Sequence, residues 1–256
     1  MSYINTIISI AGGVISWELV KFIFPEIKHY FLSKIKAKDT FYGNIDNLLK
    51  SSSQLYGKLL SLAKEDFMTY IDITKSNSED PINNKVYILY LFSNFWAQIE
   101  YIRVKNEYYG LSKIKKGKQL LNFIETFESR KYRILDRSWQ RIIGEQLIIK
   151  NNGDFRFMTL NEFYYAFNDQ SSQLYRSVKK LEEKLDSISN QQEIKQKILI
   201  YGIIVVALIY HFDPNHKVIR YRDIFKNKLN RKSKSTVKNN LLKYYLDFVK
   251  SKERYY

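Results

Sequence analysis

Cysteine is absent from the 256-residue sequence, and proline, glycine and histidine are scarce, with three, nine and three residues respectively. The chain therefore forms no disulfide, thiolate metal site or cysteine nucleophile. So few helix-breaking residues are typical of a mostly helical protein with short connections. The motifs G-x-x-x-x-G-K-[ST], G-x-G-x-x-G and G-x-S-x-G are also missing, and the carboxylates are scattered among lysines. We therefore expect neither an enzyme nor a bound cofactor.

Positive charge is what the sequence has in excess. Its 42 Lys and Arg residues outnumber its 26 Asp and Glu residues, which gives a formal net charge of +16. Such an imbalance implies an anionic partner, and nucleic acid, a phospholipid surface and an acidic protein are the candidates.

The first 17 residues contain no charged side chain, and with Glu18 and Lys21 included the apolar character continues to Phe24. About 20 mostly apolar residues span the ~30 Å hydrocarbon core of a bilayer, and Trp17 suits the interface. Residues 4–24 are therefore predicted to be a transmembrane anchor, with a buried or interfacial helix as the alternative. A cleaved signal peptide would need charge before the apolar run and a small-residue cleavage site after it, and neither is obvious.

No Lys or Arg precedes the apolar run. Five lysines follow its uncharged part: Lys21, Lys28, Lys34, Lys36 and Lys38. The positive-inside rule then places the N-terminus outside and the rest of a single-pass cell-membrane protein in the cytoplasm. Residues 1–33 are predicted to form the anchor and a juxtamembrane helix, with a kink or a new helix at Pro25. Residues 34–256 are predicted to form a basic helical cytoplasmic domain. The predicted fold class is thus mainly α, a single transmembrane helix followed by a helical bundle with at most a short β element.

Hydrophobic periodicity predicts helices over residues 48–71, 84–109, 136–150 and 172–190, and a polar loop over 75–84. Residues 150–157 are typical of a turn that begins a short strand, and Thr159 with Glu162 has the spacing of a capping box. The charged helix over 172–190 has one apolar stripe, formed by Leu174, Val178, Leu181 and Leu185.

Residues 198–212 contain no Lys, Arg, Asp or Glu. Fifteen residues are short for a membrane span, so a central core helix is predicted, with a second membrane pass as the alternative. The following "HFDPNH" (211–216) contains two of the three histidines, the third being His29. Asp213-Pro214 is a turn and no third ligand is apparent, so no metal site is predicted.

The segment "RKYRILDRSWQRIIGEQLIIK" (130–150) is the most informative for function. If it is helical throughout, Arg133, Arg137, Arg141 and Glu145 share one slowly drifting face. One carboxylate cannot neutralise three guanidinium groups, and arginine binds phosphate in a bidentate manner, so this face is a candidate anion pocket. The alternative is an ordinary amphipathic helix with a solvated basic face and an Arg141–Glu145 ion pair, worth about 0.3–0.5 kcal/mol.

The preceding predicted helix places Trp96, Glu100 and Arg103 on one face, at spacings of i, i+4 and i+7. Glu100 is predicted to pair with an arginine of residues 133–141, whereas Arg103 and Lys105 extend the basic surface. On the later helix, Gly144 would let another backbone approach closely.

Three segments resemble a family of small membrane-anchored prokaryotic proteins: "FWAQIEYIRVKNEYY" (95–109), "RSWQRIIGEQLI" (137–148) and "LIYGIIVVALIYHFDP" (199–214). Members of this family have an aromatic-x-x-x-E-x-x-R helix, a G/S-x-Q-R-x-x-G-E motif and a late apolar helix that ends in Asp-Pro. The matching positions here are Trp96, Glu100, Arg103, Gln140, Arg141, Gly144 and Glu145. The anchor, basic body and composition are also similar to membrane effectors encoded beside short Argonautes in Sulfolobus-type archaea.

The resemblance implies antiviral defence by abortive infection, in which a toxic effector binds anionic phospholipids through a basic pocket and depolarises the membrane. It also implies a short Argonaute complex as a partner. One anchor helix cannot line a channel alone, so permeabilisation would need a homo-oligomer or perturbation of the bilayer by the basic body. The late helix departs from the pattern at Tyr210-His211, where polar or acidic residues are more usual.

These observations define the predicted site. The anion- or lipid-binding residues are Arg103, Lys105, Arg133, Arg137 and Arg141, and the structural motif comprises Trp96, Glu100, Gln140, Gly144 and Glu145. A secondary basic surface is predicted at Lys226, Lys228, Arg231, Lys232 and Lys234. An anionic phospholipid membrane is the expected partner. Two alternatives remain, a membrane-tethered sensor of nucleic acid or nucleotides, for which no binding signature is present, and an adaptor that docks a partner protein.

Overall fold

The computed structural model describes residues 2–68, 70, 84–104, 108–151 and 153–256, without the side chains of residues 2–22, 84, 108 and 109. This part of the chain is mainly helical and contains one two-stranded sheet. The prediction of a mainly α protein with a short β element is therefore confirmed.

The first helix, α1, runs without a break from Ser2 to Lys64. Residues 23–32 are exposed, and the first buried residue of α1 is Ala37, after which Phe41 starts a core-facing stripe. Pro25 lies inside the helix, so the predicted start of a new helix there is wrong. A proline in a helix removes one N–H bond and crowds one carbonyl, and in this exposed stretch the helix continues through it.

Seven further helices follow α1 in the described part of the chain. They are α2 (Asn84–Val104), α3 (Lys115–Glu128), α4 (Arg137–Gln146), α5 (Leu160–Asn168), α6 (Gln173–Asp186), α7 (Gln192–Phe212) and α8 (Arg231–Thr236). Short helical turns lie at Tyr108–Leu111, Ser187–Ser189, Lys226–Lys228 and Lys252–Tyr255, and a π-helical segment at Val237–Tyr245.

Strands β1 (Ile148–Asn151) and β2 (Asp154–Phe157) form an antiparallel hairpin. Gly153, with a φ of +92°, supplies the left-handed backbone that a tight hairpin turn requires. The helix predicted over 136–150 therefore ends early, because the β-branched pair Ile148 and Ile149 pairs with β2 instead.

Other local predictions are confirmed. The Thr159 hydroxyl accepts a hydrogen bond from the Glu162 backbone N–H, and the Glu162 side chain accepts one from the Thr159 backbone N–H, which completes the capping box. The apolar stripe of α6 is buried along its length. The helix predicted over 84–109 is confirmed as far as Val104; residues 105–107 and 75–83 of the predicted loop lie outside the described residues.

Helix α7 is the centre of the core. Residues 198–210 are all buried, and α7 packs along α1, since Phe212 contacts Phe41 with ring centroids 5.5 Å apart. Within the described residues, α7 alone is long and apolar enough to cross a membrane. Its burial confirms the predicted core helix, as expected for an apolar segment surrounded by other helices. The side chains of the predicted anchor, up to residue 22, lie outside the described ones, so the membrane topology stays a prediction.

Candidate anion-binding site

The motif residues meet where α2 and α4 cross. A Cβ atom on Gly144 would lie 2.8 Å from the carbonyl oxygen of Trp96, so only glycine permits this approach, as predicted. The buried Trp96 donates a hydrogen bond from Nε1 to the Tyr201 hydroxyl at 2.9 Å, which ties α2 to α7. Gln140, on the same helix as Gly144, is also buried. The close crossing holds the arginines of α4 beside the end of α3.

A carboxylate that the sequence analysis did not include lies at the centre of this arrangement. Glu128, the last residue of α3, is 4% exposed. Arg141 donates to both of its oxygens, from Nε at 3.2 Å and from Nη2 at 3.0 Å. Nη1 of Arg103 lies 2.7 Å from Oε1, and Nε of Arg137 lies 3.5 Å from Oε2. Three predicted arginines therefore share one buried carboxylate, in what we call the Glu128 cluster.

Glu100 belongs to the same cluster through Arg103, with which it pairs on α2. Arg103 is one helical turn away from Glu100, and Arg141 is close enough to act electrostatically on the same carboxylate, so the predicted pairing of Glu100 with an arginine of residues 133–141 stays a prediction. Burial raises the pKa of Glu100 above its ordinary value, although Arg103 opposes this effect. Burial acts on Glu128 in the same direction, but its hydrogen bonds with Arg141 and Arg103 lower its pKa overall.

Arg133 does not share a face with the arginines of α4. The helix begins only at Arg137, with Asp136 at the N-cap position, and Arg133 pairs with the Asp136 carboxylate. The assumption of a helix over 130–150 therefore fails at its N-terminal end, because the chain turns between residues 129 and 135. Lys105 lies outside the described residues.

A cavity of about 580 Å³ opens beside the Glu128 cluster. It is lined by Asn122, Glu125, Thr126, Glu128, Arg137, Arg141, Tyr244 and Tyr245. The side chains of Arg137 and Arg141 are 54% and 39% exposed. Glu125 and Glu128 lie in this lining beside the two guanidinium groups, and anion binding here stays a prediction.

The basic residues of the tail line different cavities. Lys226 and Lys228 line a cavity of about 550 Å³ together with Lys64 and Arg254. Lys232 instead lines a cavity of about 500 Å³ with Arg130, Lys131 and Lys197. Arg231 and Lys234 are exposed on α8. The predicted secondary basic surface stays a prediction.

The "HFDPNH" segment has a structural role. The buried Asp213 carboxylate accepts hydrogen bonds from the backbone N–H groups of Lys217, Val218 and Ile219, at 2.8, 2.9 and 2.7 Å. This carboxylate stabilises the loop after α7, and its oxygens are already engaged in these hydrogen bonds. Within the described residues, no group of three or more His, Asp or Glu side chains could hold a metal ion.

No protein-family model, curated protein or solved structure matches the chain. In chemical terms, the Glu128 cluster can offer guanidinium groups to an oxyanion. Arg137 is the most available of them, because its Nε is farther from Glu128 than the contacting atoms of Arg103 and Arg141 are.

Proposed function

We propose that the protein is a membrane-anchored toxic effector of an antiviral abortive-infection system associated with a short Argonaute. In this proposal the basic body binds anionic phospholipids and the protein depolarises the membrane. The observation that carries it is a stretch of α1 in which large apolar side chains are exposed to solvent. Its members are Ile23, Phe24, Ile27, Tyr30, Phe31, Leu32 and Ile35, each between 47% and 61% exposed.

This exposed stretch lies between the uncharged N-terminal run and the first buried residue of α1. Full burial of one such side chain is worth about 1.5–3 kcal/mol. A hydrocarbon or interfacial environment would therefore stabilise this exposed stretch of α1 considerably. Lys28, Lys34, Lys36 and Lys38 lie in the same part of the helix, and a Lys near an anionic leaflet contributes ~1 kcal/mol. Apolar and cationic groups together favour the interface of an acidic membrane.

The effector role and the Argonaute partner are supported by the motif resemblance. Its positions lie together at the crossing of α2 and α4, with Gly144 against Trp96 and Arg141 on Glu128. A contact with phosphate in this region would use Arg137 first, because a bidentate guanidinium suits phosphate and this side chain is the most exposed of the three.

The proposal is tested with the full-length protein in membranes. We expect recovery in the carbonate-resistant membrane pellet, and dissipation of a potassium diffusion potential in vesicles that contain phosphatidylglycerol but not in pure phosphatidylcholine vesicles. Recovery in the soluble fraction without detergent would contradict the anchor. Depolarisation that is independent of lipid charge would contradict anionic lipid binding, and a gel shift on single-stranded nucleic acid in its place would favour the sensor alternative.

A further inference from the structure

A second cavity, of about 640 Å³, lies where α1 enters the body. It is bounded by the start of α3, the end of α7 and the C-terminal residues 248–255. The ammonium nitrogen of Lys116, in this lining, lies 6.0 Å from the ring centroid of Phe41 and 5.5 Å from that of Tyr42. These two aromatic residues lie just after Ala37, so the cavity is close to the point from which the exposed part of α1 projects.

Cations line this cavity without carboxylates. The charged residues of its lining are Lys115, Lys116, Lys250 and Arg254, and no Asp or Glu contributes to it. In the described part of the chain, none of these four residues forms an ion pair within 4.0 Å. Four like charges around one space repel one another, and an anion between them would add attractive interactions that offset this repulsion.

Aromatic rings line this cavity and contact neighbouring rings. The ring centroid of Phe248 lies 5.1 Å from that of His211 and 5.6 Å from that of Phe123. The guanidinium carbon of Arg254 lies 4.2 Å from the centroid of the Tyr210 ring, a cation–π contact that fixes the half-buried Arg254 in place. A fixed guanidinium loses little entropy when it binds an oxyanion.

The protonation of His211 reflects the positive charge of this cavity. Its Nε2 lies 3.1 Å from Oε1 of Gln119. Burial, together with the nearby Lys116 and Lys250, lowers the pKa of His211 to about 4. The imidazole is therefore neutral at neutral pH, and the two lysines lie close enough to act on the same ring.

We propose that this cavity binds a phosphate-type oxyanion that carries an apolar group. The phosphate would lie among Lys116, Lys250 and Arg254, and the apolar group on Phe212 and Phe248. A volume of this size falls within the range of small-molecule sites, about 300–1,000 Å³. The same chemistry is offered by a phospholipid headgroup and by a soluble phosphate compound; only the first source rests on the proposed function.

The test uses the full-length protein in a non-ionic maltoside detergent, which carries no oxyanion, and isothermal titration calorimetry. The probes are inorganic pyrophosphate, dihexanoyl phosphatidic acid below its micellar concentration, and dihexanoyl phosphatidylcholine at the same concentration. The cavity variant is Lys116→Gln with Lys250→Gln. Its matched control is Lys50→Gln with Lys150→Gln, which removes the same charge from two exposed positions that line none of the cavities described here. Thermal unfolding followed by circular dichroism shows whether both variants remain folded.

We expect at least one anionic probe to bind and the phosphatidylcholine not to bind. The cavity variant should raise the dissociation constant of the anionic probe at least tenfold, and the control variant should raise it less than threefold. Binding of pyrophosphate would show that a soluble phosphate compound is sufficient to occupy the cavity. Binding of phosphatidic acid without binding of pyrophosphate would identify a phospholipid as the ligand. Equal losses in the two variants, or no binding of either anionic probe, would overturn the proposal. Because pyrophosphate requires no membrane, its cavity-dependent binding would stand even if the protein failed to depolarise vesicles.

Discussion

The two cavities of about 580 and 640 Å³ are both rich in cations, but they differ in what neutralises those cations. Beside the Glu128 cluster, buried carboxylates already bind the arginines, which makes those guanidinium groups part of the packing. In the cavity of Lys116, Lys250 and Arg254, no carboxylate lines the wall. We therefore expect an anion to bind more strongly in the second cavity than beside the Glu128 cluster, where only Arg137 is loosely held by a carboxylate.

The largest effect is expected from Glu128→Ala, which removes the carboxylate that three arginines share. Breaking a buried ion pair on one side costs about 3–5 kcal/mol, so the free energy of unfolding, measured by urea denaturation, should fall by about this amount. The matched control is Glu125→Ala, because Glu125 lines the same cavity but is exposed. That control should change stability by less than about 0.5 kcal/mol. Similar losses in the two variants would mean that the Glu128 cluster is not structural.

A smaller loss is expected from Gly144→Ala, which would place a methyl group 2.8 Å from the Trp96 carbonyl oxygen. Overpacking of this kind typically costs about 1–3 kcal/mol, and separating α2 from α4 would also disturb the arginines. The control is Gly43→Ala, where no atom lies within 4 Å of the added Cβ. An exposed helix position should gain about 0.5–1 kcal/mol from that change. An unchanged free energy of unfolding for Gly144→Ala would contradict the close crossing.

The second cavity should contribute a pH dependence through His211, which faces Gln119, Phe123, Phe212 and Phe248 with Lys116 and Lys250 nearby. Its pKa is lowered to about 4 in the folded protein from 6.5. Between these values only the unfolded chain takes up the proton, so stability is complete above pH 6.5 and falls as the pH falls.

The loss through His211 should be on the order of 1–2 kcal/mol, since solvent screens this half-buried ring. His211→Gln cannot be protonated in this range, so the difference in unfolding free energy between the variant and the parent should vary between pH 6.5 and 4.5. Carboxylates titrate in both proteins and cancel in that difference. A constant difference across this pH range would show that the imidazole is not held neutral.

The smallest effect is expected from Arg137→Gln. One exposed cation near an anionic leaflet contributes ~1 kcal/mol at most, so depolarisation of phosphatidylglycerol vesicles should require up to about five times more protein. Stability should hardly change, because Arg103 and Arg141 keep their contacts with Glu128. A loss of activity larger than tenfold without unfolding would instead make Arg137 the centre of a specific phosphate site.

The predictions from sequence succeeded where a property depends on residues close in the chain. The capping box at Thr159, the stripe of α6 and the core helix α7 each follow from spacing within one element. The close approach at Gly144 was also predictable, since a glycine, which has no Cβ atom, lets another backbone approach closely. In these cases the local pattern and the tertiary structure agree.

The predictions failed where a partner comes from another element. Glu128 lies 13 residues before Arg141 and in a different helix, so no helical spacing connects them. Arg133 was misplaced because the helical pattern was extended backwards through Asp136, which lies at the N-cap position of α4. The second cavity joins residues from the start of α3, the end of α7 and the C-terminal turn, and only the fold brings them together.

The unbroken course of α1 has a mechanical consequence. From Phe24 to Ala37 a helix rises about 20 Å, at ~1.5 Å per residue, whereas the Debye length at physiological ionic strength is about 8 Å. With α1 upright in a bilayer, the body's net positive charge would stand beyond the reach of the acidic leaflet. Tilting of α1 would bring that charge within about one Debye length of the leaflet. The tilt angle of one helix would then set the strength of the electrostatic attraction to the membrane. Pro25 lies next to the start of this stretch of about 20 Å. It has no backbone N–H, so the helix lacks one hydrogen bond there that would otherwise resist bending.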